Sequence, residues 1–263
     1  LPANMVERAE VYKGVLPVGL GADALGGAVN VITRKTANYL DVSYSFGSFN
    51  THKASINGAY TNGKTGLTTR LTSFLNYSDN NYKVYVPIID LESGQKLGNQ
   101  WVKRFHDGYK SLRVRLETGF VNRPFADYLL AGIIVAGNDK DIQNGVVMEL
   151  VYGARTTDSR SVIPMLRYKK SDLFIEGWGL SFYGSYSDVD NNSTDTVPRR
   201  YNWQGEWVPN ASTSSGERSR SQLHINNKEW RTNTSLNYTF NQYHTLSLNH
   251  VYSGLTRKVS DVE

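Results

Sequence analysis

Val6-Glu7-Arg8-Ala9-Glu10-Val11-Tyr12-Lys13-Gly14, followed by Gly21-Ala22-Asp23-Ala24-Leu25-Gly26-Gly27-Ala28-Val29-Asn30-Val31-Ile32-Thr33-Arg34, decides how the rest of this sequence is read. A short strand, VERAEVYKG, passes through a glycine-rich connection into a second short apolar strand, VNVIT. The glycines of the connection suit tight turns that need positive φ, a structural rather than a ligand-binding role. From about residue 38 the pattern changes to long polar–apolar alternations broken by loops, with no helical period.

The alternation recurs along the chain. DVSYSFGSF sets Val42, Tyr44 and Phe46 against Ser43, Ser45 and Gly47. Leu67, Leu71, Leu75 and Tyr77 oppose Arg70 and Asn76, and Leu112, Val114, Leu116 and Phe120 oppose Arg113, Arg115 and Glu117. Near the end, Leu236, Tyr238 and Phe240 face away from Asn233, Ser235 and Asn237, and Leu246 and Leu248 from Ser247 and Asn249. A polar face of Ser, Thr, Asn, Arg and Gly, with aromatics near strand ends (Tyr44, Phe46, Tyr60, Tyr77, Phe120, Tyr186, Tyr238, Phe240), points to a membrane barrel with a wet lumen. In a soluble sandwich the second face would not need this composition.

Composition agrees. There are no cysteines, 17 Tyr, 5 Trp and 23 Gly, and the mean hydropathy is −0.46. A barrel tolerates this low value because only alternate residues face lipid. No apolar run approaches the ~18–20 residues of a membrane helix, and neither a charged start nor the apolar stretch of a secretory signal is present. The net charge of +5 comes from basic residues interleaved with acids along strands and loops, so no nucleic-acid-binding patch forms.

Connections alternate between hairpin-length turns (Asn50-Thr51, Asn62-Gly63-Lys64, Asn241-Gln242) and long loops at about 79–108 and 188–228. Short turns on one side and long loops on the other is the membrane-barrel asymmetry; in a compact soluble domain such loops would count against the assignment.

The segment from Val6 to Arg34 resembles the C-terminal end of the plug domain of TonB-dependent outer-membrane receptors, where such a phrase immediately precedes the barrel. The resemblance implies an all-β fold: part of a transmembrane antiparallel β-barrel, 22-stranded in transporters of this kind, with the end of a plug in its lumen. Residues 1–36 would be the end of the plug and 37–263 the first part of the barrel. With about ten to twelve candidate strands at ~10 residues each, the sequence reads as an internal segment. The plug front, the TonB box, the remaining half of the barrel and its terminal strand would lie elsewhere. An isolated half-barrel leaves strand edges unpaired at lipid depth, which a bilayer does not permit.

By the same resemblance, the whole protein sits in the bacterial outer membrane and takes up a scarce solute with energy delivered by TonB. An iron chelate such as a ferric siderophore is favoured, with cobalamin, haem or a glycan as alternatives. The implied partners are TonB, outer-membrane lipid and the ligand, and no cofactor is implied. A passive porin-like barrel would not need the plug phrase, and a soluble β-rich module would not need detergent.

Candidate ligand contacts follow from residue chemistry. Arg199, Arg200, Tyr201, Trp203 and Trp207 place two guanidinium forks beside three aromatic faces, which suits an anionic chelate; the plainer reading is that they brace the loop. Trp101 and Arg104 form a weaker cluster of the same kind. Glu7, Arg8, Glu10, Lys13 and Arg34 are candidates for plug–barrel contacts or are solvated in the channel. No enzyme site is visible. Gly19-x-Gly21-x-x-Ala24 is followed by strands and not by the helix a dinucleotide fold requires, and His52, His106, His224, His244 and His250 show no metal-ligand spacing.

Overall fold

The structure, a computed structural model, describes residues 6–14, 26–33, 38–210 and 216–261. It is all-β, with strands β1 (Val6–Lys13), β2 (Gly27–Thr33), β3 (Tyr39–Gly47), β4 (Thr51–Thr61), β5 (Leu67–Ser78), β6 (Lys83–Ile89), β7 (Lys96–Lys103), β8 (Tyr109–Arg123), β9 (Ala126–Asp141), β10 (Thr156–Ser171), β11 (Trp178–Asp195), β12 (Arg199–Tyr201), β13 (Trp207–Pro209), β14 (Ser221–Asn241) and β15 (His244–Ser260). Nine of these form one antiparallel sheet in the order β15-β14-β11-β10-β9-β8-β5-β4-β3; β1-β2, β6-β7 and β12-β13 are separate hairpins. The large sheet is an up-and-down meander, interrupted only where a hairpin is inserted into a connection.

Register places alternate residues on opposite faces. The cross-strand row Ala59, Arg70, Glu117, Gly132 lies on one face, continued by Leu130 and Arg167. This face lines a concavity of about 1570 Å³ bounded by Asn57, Arg70, Arg113, Arg115, Glu117 and Asn233 among others. Leu67, Leu71, Leu75, Leu112, Leu116, Leu246 and Leu248 lie on the other, convex face and are exposed; Val114 and Leu236 share that face and are half-buried. The polar face turns inward and the apolar face outward, the inverse of a soluble sandwich.

Aromatic pairs mark levels on the convex face. Trp178 stacks on Tyr238 and Tyr186 on Trp230, at ring separations of 5.1 and 4.7 Å. Both pairs are directly opposite in the β11–β14 register. Eight residues separate the two levels on each strand (186 − 178 and 238 − 230), about 27 Å along the chain. With strand tilt this is of the order of the ~25 Å apolar band of membrane barrels.

Beyond Tyr186 and Trp230 the strands continue, and here the sequence reading of a loop over 188–228 is corrected. β11 runs on to Asp195 and β14 begins at Ser221, so the connection is 196–220. On one face the extension is polar: Asn226 donates to Asp188 at 2.7 Å and to Asp190 at 2.9 Å, and His224 Nδ1 meets Asn192 at 2.7 Å. The other face mixes Val189, Leu223 and Ile225 with Asn191, Ser193 and Asn227. Val189 stands alone in its strand and only Leu223 and Ile225 alternate in the other, too short a run to signal a strand.

Two further differences concern connections. The turn at 48–50 lies at the end of the sheet that carries the long loops, opposite 62–66 and 242–243, so not every short turn shares one end. Phe49 and Asn50 both adopt positive φ there (62° and 54°), the combination of a tight primed hairpin. A third long connection, 142–155, between β9 and β10 was not anticipated.

Candidate functional site

Three connections, 79–108, 142–155 and 196–220, leave the same end of the sheet and interlock. β6–β7 is amphipathic: Val86 and Ile88 pack with Val151 and Trp203 into a buried cluster, against which Val84, Val102, Met148 and Tyr201 also lie. A one-layer sheet cannot bury both its faces, so this apolar core forms where the loops stack.

Polar groups tie the same pieces together. Gln143 is 1% exposed; its Oε1 accepts the backbone N–H groups of Phe105 (2.6 Å) and His106 (2.7 Å), and its Nε2 donates to the Tyr152 carbonyl (2.9 Å). Arg104, also buried, donates to Asn144 Oδ1 at 2.7 Å, lies 2.9 Å from Asp107 Oδ2, and sits over the rings of Tyr82 and Trp203. Glu217 accepts the N–H groups of Gly153 (2.7 Å) and Ala154 (3.1 Å), and the Asp195 carboxylate accepts those of Glu217, Arg218 and Ser219. Burial and the nearby Asp195 carboxylate push the Glu217 carboxyl up, while the backbone donors act the other way.

The residues singled out in the third connection are brought together on the β12–β13 hairpin and its turn, in different settings. Trp203 is 2% exposed, its indole committed to the Met148 carbonyl and its ring to the core. Arg200 donates to the Leu91 carbonyl, and Tyr201 makes a single antiparallel bridge with Val151 and packs near Phe105. Arg199 lies 3.9 Å over the half-open face of Trp207. Arg200 and Trp207 are exposed and Arg199 is half-buried, so these three are the ones presented at the surface. Trp101 is exposed on the outer face of β6–β7, whereas Arg104 is part of the buried lock. Gln143, Asn144, Asp195 and Glu217 were missed; their stretches lack alternation, and only the packing of distant loops gives them partners.

On the concave face, Glu117 is 5% exposed between Arg115 (2.8 Å) and Arg167 (3.5 Å). Arg70, Arg113 and Lys169 line the same concavity, as do Asp172 and Glu176 from the 172–177 turn, so five cations share it with three carboxylates. The β1–β2 hairpin stands apart from the wall sheet, and its Val31 borders the concavity. Its charges pair locally: Arg8 with Glu7 at 3.4 Å and Glu10 at 2.8 Å, while Tyr12 and Asn30 donate to Glu10. Lys13 lies at the end of β1, opposite Gly27; Arg34 lies outside the described residues. Among the described residues no group of three or more His, Asp or Glu side chains could hold a metal ion.

A meander with a charged concave face, an apolar convex face and stacked loops at one end has the architecture of a β-barrel wall segment. No family model matches the chain, and no curated protein matches it. Among solved structures it is similar to the crystal structure of the siderophore receptor PiuA from Acinetobacter baumannii, with a TM-score of 0.39 and 12% identity over 97% of this chain and 52% of that one. The chain thus spans about half the length of that receptor.

Proposed function

We propose that this chain is the end of a plug and the first part of the barrel of an outer-membrane receptor, which takes up an iron chelate such as a ferric siderophore using energy delivered by TonB. One observation carries the reading. A short hairpin with the plug-like sequence stands apart from a nine-stranded wall whose apolar face points outward and whose charged face borders that hairpin. A passive pore has no use for such a hairpin, and a soluble module would expose the convex leucines to water.

Ligand contact is assigned to the third connection, through the Arg199 guanidinium held over Trp207 and the neighbouring Arg200. Tyr201 and Trp203 shape the hairpin from behind. The test uses full-length protein in detergent, probed with ferric catecholate and ferric citrate chelates, haem and cobalamin. The expected result is saturable binding of an iron chelate, energy-dependent uptake that is lost without TonB, and an affinity loss of about tenfold or more for Arg199→Ala with Arg200→Ala or for Trp207→Ala. Uptake that persists without TonB would identify a passive pore. Binding of haem or cobalamin alone would change the substrate and keep the mechanism.

A further inference from the structure

The outer face of the β6–β7 hairpin has no role in the loop lock. Its inner face, Val84, Val86, Ile88 and Val102, is anchored in the apolar cluster. Its outer face presents the directly paired Tyr85 and Trp101, 57% and 67% exposed, with the directly paired Lys83 and Lys103 one step along the same face. The two rings lie 5.4 Å apart and are tilted by 40°. Among the described residues, neither the Tyr85 hydroxyl nor the Trp101 indole N–H has a hydrogen-bond partner, and neither lysine has a carboxylate partner. Lys96 at the far end of β7 is different: it pairs with Glu149 at 3.3 Å.

We propose that this face is a docking platform for an acidic polysaccharide. Large aromatic faces left open on an anchored hairpin are otherwise an exposed apolar liability. Their negative π-faces attract the polarised C–H groups of a pyranose ring, while the free O–H and N–H meet its hydroxyls. The 40° tilt decides between ligand shapes. One flat aromatic ligand cannot lie on both faces at once, but consecutive puckered sugar rings can take one face each. The adjacent lysine pair supplies two point charges for carboxylate or phosphate groups on the same chain. Because the hairpin is held from behind, little ordering is needed on binding. The proposal rests on the reading that the loops face the cell exterior, and it concerns surface attachment rather than the transported solute.

The experiment measures binding of oligogalacturonate to the full-length protein in detergent, with its methyl-esterified form as the uncharged control. Wild type should bind the acid form with an affinity that falls with salt, and the ester more weakly. Trp101→Ala should lose about tenfold or more, Trp101→Phe should recover most of the loss, and Lys83→Ala with Lys103→Ala should remove the preference for the acid form. Failure of wild type to bind, or unchanged binding in Trp101→Ala with the barrel folded, overturns the proposal. Displacement of oligogalacturonate by none of its homologues but by a flat dihydroxybenzoate also overturns it, in favour of a small planar ligand. Chelate uptake measured on the same variants separates this result from the transport reading: uptake intact with glycan binding absent defeats only the platform.

Discussion

The indole Nε1 of Trp203 donates to the backbone carbonyl of Met148 at 2.6 Å, joining two connections that are 55 residues apart in sequence. The ring is simultaneously in contact with Val86, Ile88 and Val151, and Arg104 lies 5.6 Å from its centre. One side chain thus meets residues from all three long connections.

Trp203→Ala is therefore expected to unlock the loops. Truncating a buried Trp costs about 3–5 kcal/mol, and here the loss falls on the loop assembly, leaving the wall pairing intact. Hydrogen exchange should rise in 79–108, 142–155 and 196–220 while the amides of β8 to β11 stay protected. Equal loss of protection in the wall would show that the loops and wall form one cooperative unit.

Glu117 should be more sensitive than any single cation around it. Removing the carboxylate that bridges Arg115 and Arg167 leaves half-buried guanidinium groups facing each other. Breaking a buried pair from one side typically costs about 3–5 kcal/mol. Glu117→Ala should lower the denaturation midpoint, read from the gel mobility of the folded barrel, by much more than Lys169→Ala. Similar midpoints would mean that the cluster is well solvated.

The two faces make opposite predictions for one substitution. Leu116→Arg places a charge on the convex face, where an arginine costs about 2–4 kcal/mol at bilayer mid-depth. Ser235→Arg, which points into the concavity, should be tolerated. Membrane-inserted yield distinguishes them, and a tolerated Leu116→Arg would overturn the lipid-facing assignment of the convex face.

Glu217 gives the loop assembly a pH dependence of a particular sign. Burial and Asp195 raise its pKa above the ordinary carboxylate value, so the folded state holds this proton to higher pH than the open loop does. The resulting stabilisation is present below the ordinary carboxylate range and is lost as pH rises through the raised value. The backbone N–H groups of Gly153, Ala154 and Arg155 lower it but do not reverse the direction. Proteolysis of the loops should quicken across that window, and Glu217→Gln should flatten the dependence. An opposite slope in the wild type would show that the backbone donors from Gly153 and Ala154 outweigh burial.

Strand existence and face were legible in β3, β5, β8, β14 and β15, where one face met a different medium from the other. Leu112, Val114 and Leu116 against Arg113, Arg115 and Glu117 is a period-2 signal that needs no tertiary information, because a one-residue slip would invert every side chain. The same rule explains where the reading stopped. At Asp188–Asp195 and Ser221–Lys228 apolar residues are few (Val189 in one strand, Leu223 and Ile225 in the other), so strands that exist in the structure carried too short an alternation and read as loop.

The loop site was decided by tertiary structure alone. Arg199, Arg200, Tyr201, Trp203 and Trp207 look equivalent as a local composition, yet Trp203 ends up in a core while Trp207 stays open beneath Arg199. What separates them is the arrival of Val86, Ile88 and Val151 from distant connections. Apolar burial depends on which surfaces meet, whereas alternation depends only on the strand itself. The sequence by itself therefore determined an all-β wall with an inward polar face; the partners of its loop residues were settled by packing between segments far apart in the chain.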